Sequence, residues 1–332
     1  MLKFAILGNG GFAKVHARNA IRAGAEIVAL CGRNKEKLAA FNQEIGGGAR
    51  VYLSGEFEKM LAAEKLDALI IALPPFARQD EFVTAARQGI NIFVEKPIAA
   101  SLSEGQAMVK AAANSEIITM SGFHMRMSQP VKRVKGLIED GTAGRPVLFQ
   151  GAYSCNSLHN AWYIDKDHSG GQIFEQVIHL YDMNRFLMGE PKTVRALTNN
   201  ICHNHLIDYT IEDVSGMIAQ FTNGSLSSIT ANNCEIPGAW LSPFKIVYEN
   251  LVAEFENESK VKITYTKDPD KLPEIIEDHE DVYQLEMNEF LDCIKNGRQA
   301  ACDVNEGFKT LVYVDKVTRS AARNGEMMDL YL

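Results

Sequence analysis

Near its start the chain reads Lys3-Phe4-Ala5-Ile6-Leu7-Gly8-Asn9-Gly10-Gly11-Phe12-Ala13, KFAILGNGGFA, and this stretch decides the fold. An apolar run of strand length stops at glycines and gives way to an amphipathic helical pattern over Ala13 to Ala23. The arrangement is G-x-G-x-x-G/A. The first glycine makes the tight turn, and the second lets a pyrophosphate approach the backbone. The small third residue allows close helix packing, and the helix N-terminus offers unpaired N–H groups to an anion. A dinucleotide is therefore expected on Gly8, Gly10, Gly11, Phe12 and Ala13.

The neighbouring sequence continues the pattern. Strand candidates at Lys3–Leu7, Glu26–Cys31, Ala68–Leu73, Asn91–Val94 and Ile117–Ser121 alternate with helical segments at Lys35–Ile45, Ala77–Gln88 and Ser103–Ala113. Apolar strands separated by helices indicate a parallel sheet covered on both faces, so residues 1–122 are read as a doubly wound Rossmann domain. Past Gly122 a helix at Gln129–Asp140, a strand at Pro146–Ser154 and a single helix over Gln172–Leu187 are expected. Hairpin strands then flank Asn223-Gly224, the favoured two-residue turn, and further strands follow at Phe244–Tyr248, Leu251–Phe255 and Val261–Thr266. Residues 123–332 are read as an α+β domain with a large, mainly antiparallel open sheet and helices on one face. Helices at Val282–Lys295 and Asn305–Ala322 close the chain, the last expected to pack back onto the first domain.

Composition bounds the function. At 332 residues the chain exceeds the ~250 beyond which single cores rarely grow, which favours two domains. A formal net charge of -8 disfavours nucleic acid or an anionic membrane as partner, because both require basic surface. The six cysteines are scattered without a metal-type spacing and read as reduced thiols of a cytoplasmic protein. His203-x-His205 lacks an evident third ligand and is read as a solvated loop; no metal is expected. No apolar run approaches the ~20 residues of a membrane helix.

Two further stretches carry chemistry. The second strand ends Cys31-Gly32-Arg33-Asn34 without the acid that would accept hydrogen bonds from a free ribose 2′-hydroxyl. Gly32 leaves room and Arg33 can pair with a phosphate, so NADP is favoured over NAD. In NIFVEKPIAA, Asn91–Ala100, Lys96 stands at the carboxyl end of a strand of the same sheet, where open α/β sheets bind ligands. Pro97 fixes the turn after it.

The glycine turn, Glu95-Lys96-Pro97, Gly122-Phe123-His124-Met125-Arg126 and Gly170-Gly171-Gln172-Ile173-Phe174-Glu175-Gln176-Val177-Ile178-His179 together resemble the glucose–fructose oxidoreductase and inositol dehydrogenase (Gfo/Idh/MocA) family in order and spacing. The resemblance implies a Rossmann domain followed by a sheet that mediates a homodimer or homotetramer. It also implies NAD(P)-dependent hydride transfer at a CH–OH or C=O group of a sugar, polyol or related small polar substrate. By motif position Lys96 is the catalytic lysine and His179 the proton-transfer residue, while Glu175 stands where the family usually has aspartate. Leu73, Pro74, Glu95 and Lys96 are placed at the cofactor. The chain departs from the family's P-x-N-x-x-H with Pro74-Pro75-Phe76-Ala77-Arg78-Gln79, where Gln79 aligns with the histidine, and has Val177 in place of a glycine.

Glu175 and His179, four apart in one helical pattern, are expected to share a face, with Asp182 orienting the His179 ring. His179 then removes the hydroxyl proton while Lys96 donates to the substrate oxygen. Arg126, His159, Trp162 and Tyr163, together with Lys96, Glu175 and His179, are the candidate substrate contacts; tryptophan and tyrosine suit a sugar ring. Two other classes use the same residues: a nicotinamide-dependent lyase or glycosidase with no net redox, and a dinucleotide-binding regulatory protein.

Overall fold

The computed structural model of the protein describes residues 1–158 and 160–330. His159 therefore lies outside the described residues. The chain forms two compact units, Met1–His124 with Glu280–Lys309, and Met125–His279 with the segment from Thr310 onward. The division after His124 is close to the expected 122, but Glu280–Lys309, assigned from sequence to the second domain, belongs to the first.

The first unit is built from β1 (Leu2–Leu7), α1 (Gly11–Arg22), β2 (Ala25–Gly32), α2 (Lys35–Glu44), β3 (Arg50–Leu53), α3 (Phe57–Ala63), β4 (Ala68–Ile71), α4 (Glu81–Arg87), β5 (Asn91–Val94), α5 (Leu102–Ser115) and β6 (Thr119–Ser121). The six strands run in the order β3-β2-β1-β4-β5-β6. Every pairing is parallel. Such order reverses direction between β1 and β4, and the crevice at that switch point is where doubly wound sheets bind dinucleotides. Residues Ala68–Ile71 and Phe4–Leu7 are buried throughout, as strands covered on both faces must be. Strand β3, absent from the sequence reading, is a four-residue edge strand with one buried residue and gives almost no pattern to read.

Helix Val282–Asn296 completes this unit. Its apolar residues Val282, Met287, Phe290 and Leu291 recur at helical spacing, and Asp281 caps it by accepting from the Tyr283 and Gln284 N–H groups. The Phe290 ring meets Phe4 and Phe93 edge-on at 5.9 and 5.8 Å, which ties the helix to β1 and β5.

The second unit contains α6 (Gln129–Glu139), β7 (Pro146–Ser154), α7 (Ala161–Ile164), α8 (Lys166–Ser169), α9 (Gln172–Glu175), α10 (Ile178–Met188), β8 (Pro191–Asn199), β9 (Val214–Phe221), β10 (Leu226–Asn232), β11 (Phe244–Tyr248), β12 (Leu251–Asn257), β13 (Lys260–Tyr265), β14 (Glu274–Glu277) and β15 (Met328–Asp329). Its nine strands lie in the order β14-β13-β12-β11-β7-β10-β9-β8-β15. All are antiparallel except the central pair β7–β10. Burial alternates strictly along β9 and β11, so one face is core and the other is open. Helix Val304–Ala322 runs from the first unit into the second.

The β9–β10 turn is longer than the expected two residues. Phe221 N–H donates to Ser225 O and Gly224 N–H to Phe221 O, with Gly224 at φ +89°. That is a three-residue loop, a type I turn closed by a glycine bulge.

Candidate functional site

In the first unit the glycine turn is explained by what surrounds it. A Cβ on Gly8, at φ +125°, would stand 2.7 Å from the Ala72 carbonyl oxygen, so only glycine lets β1 end this close to the end of β4. Gly10 and Gly11 differ: a Cβ on either meets nothing within 4 Å. No packing among the described residues demands glycine there. Gly10 is the N-cap of α1, no side chain caps that end, and no acid occupies the first turn. The open glycines and uncapped N–H groups fit a pyrophosphate, and buried Ala13 lets α1 seat against the sheet.

At the end of β2 the structure sorts three residues named above. A Cβ on Gly32 would touch Leu38 at 3.4 Å, and Asn34 is the N-cap of α2, its Oδ1 accepting from Lys37 N–H at 2.8 Å. Arg33 is exposed.

Lys96 is half-buried at the carboxyl end of β5, and the Lys96–Pro97 bond is cis. Its backbone N–H donates to Glu95 Oε2 at 3.0 Å, while Glu95 Oε1 lies 2.5 Å from His16 Nε2 on α1. Glu95 is thus anchored from both oxygens. Burial alone would raise its carboxyl, but the His16 hydrogen bond and charge, then Lys96 and His124, outweigh it and hold Glu95 below the usual carboxylate range. Burial pushes His124 down to about 4, an effect Lys96 reinforces. The His124 ring lies 4.3 Å from Tyr283, whose ring is 5.7 Å from Phe12. His16, His124 and Tyr283 were not among the sequence candidates: Tyr283 comes from the segment that rejoins this unit late in the chain.

Arg78 was also missed. It lies in the Pro74–Gln79 loop, beside Gln79, the residue aligned with the family's histidine. Its Nε and Nη2 donate to Leu73 O at 2.9 and 2.6 Å, and Nη1 donates to Pro97 O and Ile98 O at 2.6 and 2.7 Å. Gln79 itself is exposed. The expected helix Ala77–Gln88 starts only at Glu81, because Arg78 takes an extended backbone conformation (ψ 149°).

In the second unit the Gly170-Gly171 pair opens α9. Gly171 has φ +103°, and a Cβ there would lie 2.5 Å from Glu212 Oε2. The Glu212 carboxylate fills that space and accepts Ile173 N–H at 2.9 Å, capping the short helix. Burial raises the Glu212 carboxyl above its ordinary value.

The single helix expected over Gln172–Leu187 is two, α9 and α10, with Gln176 and Val177 between them. Val177 N–H donates back to Gln172 O at 3.0 Å, a five-residue step that widens the turn, so ideal i,i+4 spacing does not place Glu175 against His179. Within Gly171–Leu180 Glu175 and His179 are nevertheless the two residues that are not buried. Asp182 does not orient His179. Its Oδ2 accepts from Arg126 Nε at 2.7 Å, and its Oδ1 accepts from Arg126 Nη2 at 2.6 Å and Thr310 Oγ1 at 3.0 Å. Arg126, 4% exposed and 4.6 Å from the Phe186 ring centroid, is spent on that internal ion pair rather than presented to a substrate.

Tyr163 packs with Tyr209 and Ile211, and Trp162 lies against that cluster, half-buried. Burial, then the charge of Glu175, raises the Tyr163 hydroxyl well above its ordinary value. His203 is not solvated: its Nδ1 is 3.2 Å from Asp213 Oδ2 and its ring stacks on Tyr209 at 4.5 Å. Cys202, Asp213 and Cys234 bring metal-ligand atoms within 4.8 Å of one another. The Asp213 oxygens already accept N–H groups from Ile201, Cys202 and His203, a loop-tying role.

Among the described residues no helix is long and apolar enough to cross a membrane. Residues 2–123 match a family model described as GFO_IDH_MocA, oxidoreductase family, NAD-binding Rossmann fold, and residues 131–248 match the GFO/IDH/MocA C-terminal domain. The chain is 26% identical over 303 residues to scyllo-inositol 2-dehydrogenase (NAD(+)) of Bacillus subtilis (strain 168), covering 90% of this chain and 87% of that protein. It is 29% identical to 2,7-anhydro-N-acetylneuraminate hydratase of Mediterraneibacter gnavus over 60% of this chain and 53% of that one. A levoglucosan dehydrogenase in complex with NADH and levoglucosan shares the fold, with a TM-score of 0.90, 20% identity and 100% coverage of both chains.

Proposed function

The chain belongs to the GFO/IDH/MocA oxidoreductase family, with an NAD-binding Rossmann domain, and from that premise we propose that it moves a hydride between a nicotinamide dinucleotide and a CH–OH or C=O group of a sugar or polyol. The glycine cradle carries the reading: Gly10 and Gly11 leave space that no atom of the described residues uses, at an uncapped helix end. Gly8, Gly10, Gly11, Phe12 and Ala13 hold the pyrophosphate side, and Leu73, Pro74 and Lys96 stand at the carboxyl ends of β4 and β5, where the nicotinamide side belongs.

The bound nicotinamide supplies the hydride acceptor in the oxidative direction. Lys96 donates a hydrogen bond to the substrate oxygen and stabilises developing alkoxide charge, an effect usually worth a few kcal/mol in a water-poor site. His179 removes the hydroxyl proton, and Glu175 binds a substrate hydroxyl. Glu95, held by His16, accepts the Lys96 N–H and fixes the backbone from which the lysine reaches. Trp162 offers a half-buried face to a sugar ring. Arg126 leaves the substrate set because of its ion pair, and Tyr163 supports Trp162 from beneath.

NADP is the preferred dinucleotide. The end of β2 carries exposed Arg33 and no carboxylate, so a 2′-phosphate finds a bidentate partner there and a free ribose lacks its usual acceptor. A fluorescence titration with NADPH and NADH, followed by a polyol and sugar screen, tests both levels. Tighter NADPH binding with substrate-dependent cofactor reduction is the expected result, and Lys96→Ala should lose at least ~10²-fold in kcat with cofactor affinity kept. Near-full turnover in Lys96→Ala would remove the lysine from the mechanism. The relationship to a hydratase favours one second reading, a reaction with no net redox, whose mark is substrate consumption with the cofactor returned to its starting state.

A further inference from the structure

Arg78 hydrogen-bonds to the two residues that directly follow the proposed reacting lysine. Its guanidinium donates to Leu73 O, just past the end of β4, and to Pro97 O and Ile98 O, which directly follow Lys96. Among the described residues no carboxylate hydrogen-bonds to this cation. Desolvation lowers it to about 10, against the raising effect of Glu95, Glu81 and Glu104, so it stays charged at neutral pH. A planar fork that takes three carbonyls from two loops fixes their separation; a lysine, with one point of attachment, cannot reproduce that geometry. On the far side of Lys96, Glu95 is held by His16 and takes the Lys96 N–H. The lysine backbone is thus clamped before and after its Cα by two independent charged groups.

We propose that Arg78 is a positioning residue for Lys96: it ties the loop after β4 to the Lys96-Pro97-Ile98 turn and so sets where the lysine ammonium reaches, while touching neither substrate nor cofactor. The catalytic part of this rests on the reading of Lys96 given above; the mechanical part does not. Arg78→Lys and Arg78→Ala separate the two. Amide hydrogen exchange of the 94–100 segment should run about tenfold faster in Arg78→Lys and faster still in Arg78→Ala, with the rest of the sheet unchanged. Added guanidinium ion should restore part of the protection in Arg78→Ala. Cofactor affinity should stay within about threefold, while kcat falls between about tenfold and 10²-fold, the loss that misplacement by about 1 Å produces.

Should Arg78→Ala not fold, Arg78→Lys carries the test. Unchanged exchange at 94–100 overturns the proposal whatever the activity, and loosened exchange with full kcat overturns its catalytic part. Loosened exchange in a protein whose wild type turns over no sugar or polyol upholds the clamp and condemns the dehydrogenase reading instead.

Discussion

His124 faces Glu95, Lys96, His16 and Asp281, with the Tyr283 ring against it, and burial brings its pKa from 6.5 to about 4. The sign of the stability effect follows. Between those two values the unfolded chain binds a proton that the folded chain refuses, so this group's contribution is complete above pH 6.5 and is lost as pH falls towards 4. The full shift corresponds to at most about 3 kcal/mol, reduced by the solvent that reaches the partly exposed ring. Urea unfolding of His124→Gln at pH 7 and pH 5 should show a smaller acid loss than wild type. An equal loss in both would assign the acid sensitivity to other groups. Glu95 opposes the shift by favouring the charged ring, and burial outweighs that attraction.

At the scale of single elements, α9 depends on a carboxylate far away in sequence. Glu212 caps it through Ile173 N–H and occupies the space beside Gly171, whose φ of +103° is open only to glycine. Gly171→Ala should therefore cost about 3 kcal/mol, from backbone strain plus displacement of the cap, read as a fall in the urea midpoint with an unchanged slope. A change below ~0.5 kcal/mol would mean that the Glu212 side chain swings away freely.

The Gly170-Gly171 pair was legible as a motif, but its physical reason was not, because Glu212 lies 39 positions from the N–H it caps. The same limit hid the break between α9 and α10. Nearly every residue from Gly171 to Leu180 is buried, so there is no polar stripe whose phase could reveal a widened turn. Strands β1, β2, β4 and β5 were legible because each carries an apolar run, 4–7, 27–31, 68–73 and 92–94, closed by glycine, proline or a charge. Of the candidate site, Gly8, Gly10 and Gly11 announced themselves locally, whereas Lys96 stood out through the family resemblance and not through its own stretch. Arg78 and Tyr283 matter through partners that the fold brings together, and no window of sequence contains those.

For the whole molecule, the open face of the nine-stranded sheet is the feature with the widest reach. Leu197 on β8 and Ile218 on β9 are 62% and 63% exposed on adjacent strands, with Leu226 of β10 nearby. Contiguous exposed apolar side chains on a sheet mark an association surface, and we expect a homodimer or homotetramer through this face. Ile218→Asp should shift the protein to smaller species in sedimentation equilibrium while leaving the Rossmann unit's cofactor affinity intact. A species distribution identical to wild type would move the interface elsewhere.

The first unit is assembled from two stretches far apart in sequence, Met1–His124 and Glu280–Lys309. Ser121 at the end of β6 donates through its backbone to Cys302 O and through its hydroxyl to Asp303 O, 182 positions later, and Gly307 fits against Ser121 and Ile98 where no side chain could. During synthesis the nucleotide cradle leaves the ribosome well before the segment that seals its sheet edge. At ~5–20 residues per second the six strands wait roughly 10–40 s for that seal. A nascent chain that stops short of Cys302 and Asp303 lacks the bonds that close the β6 edge, and we expect it to hold the dinucleotide less tightly than the finished unit.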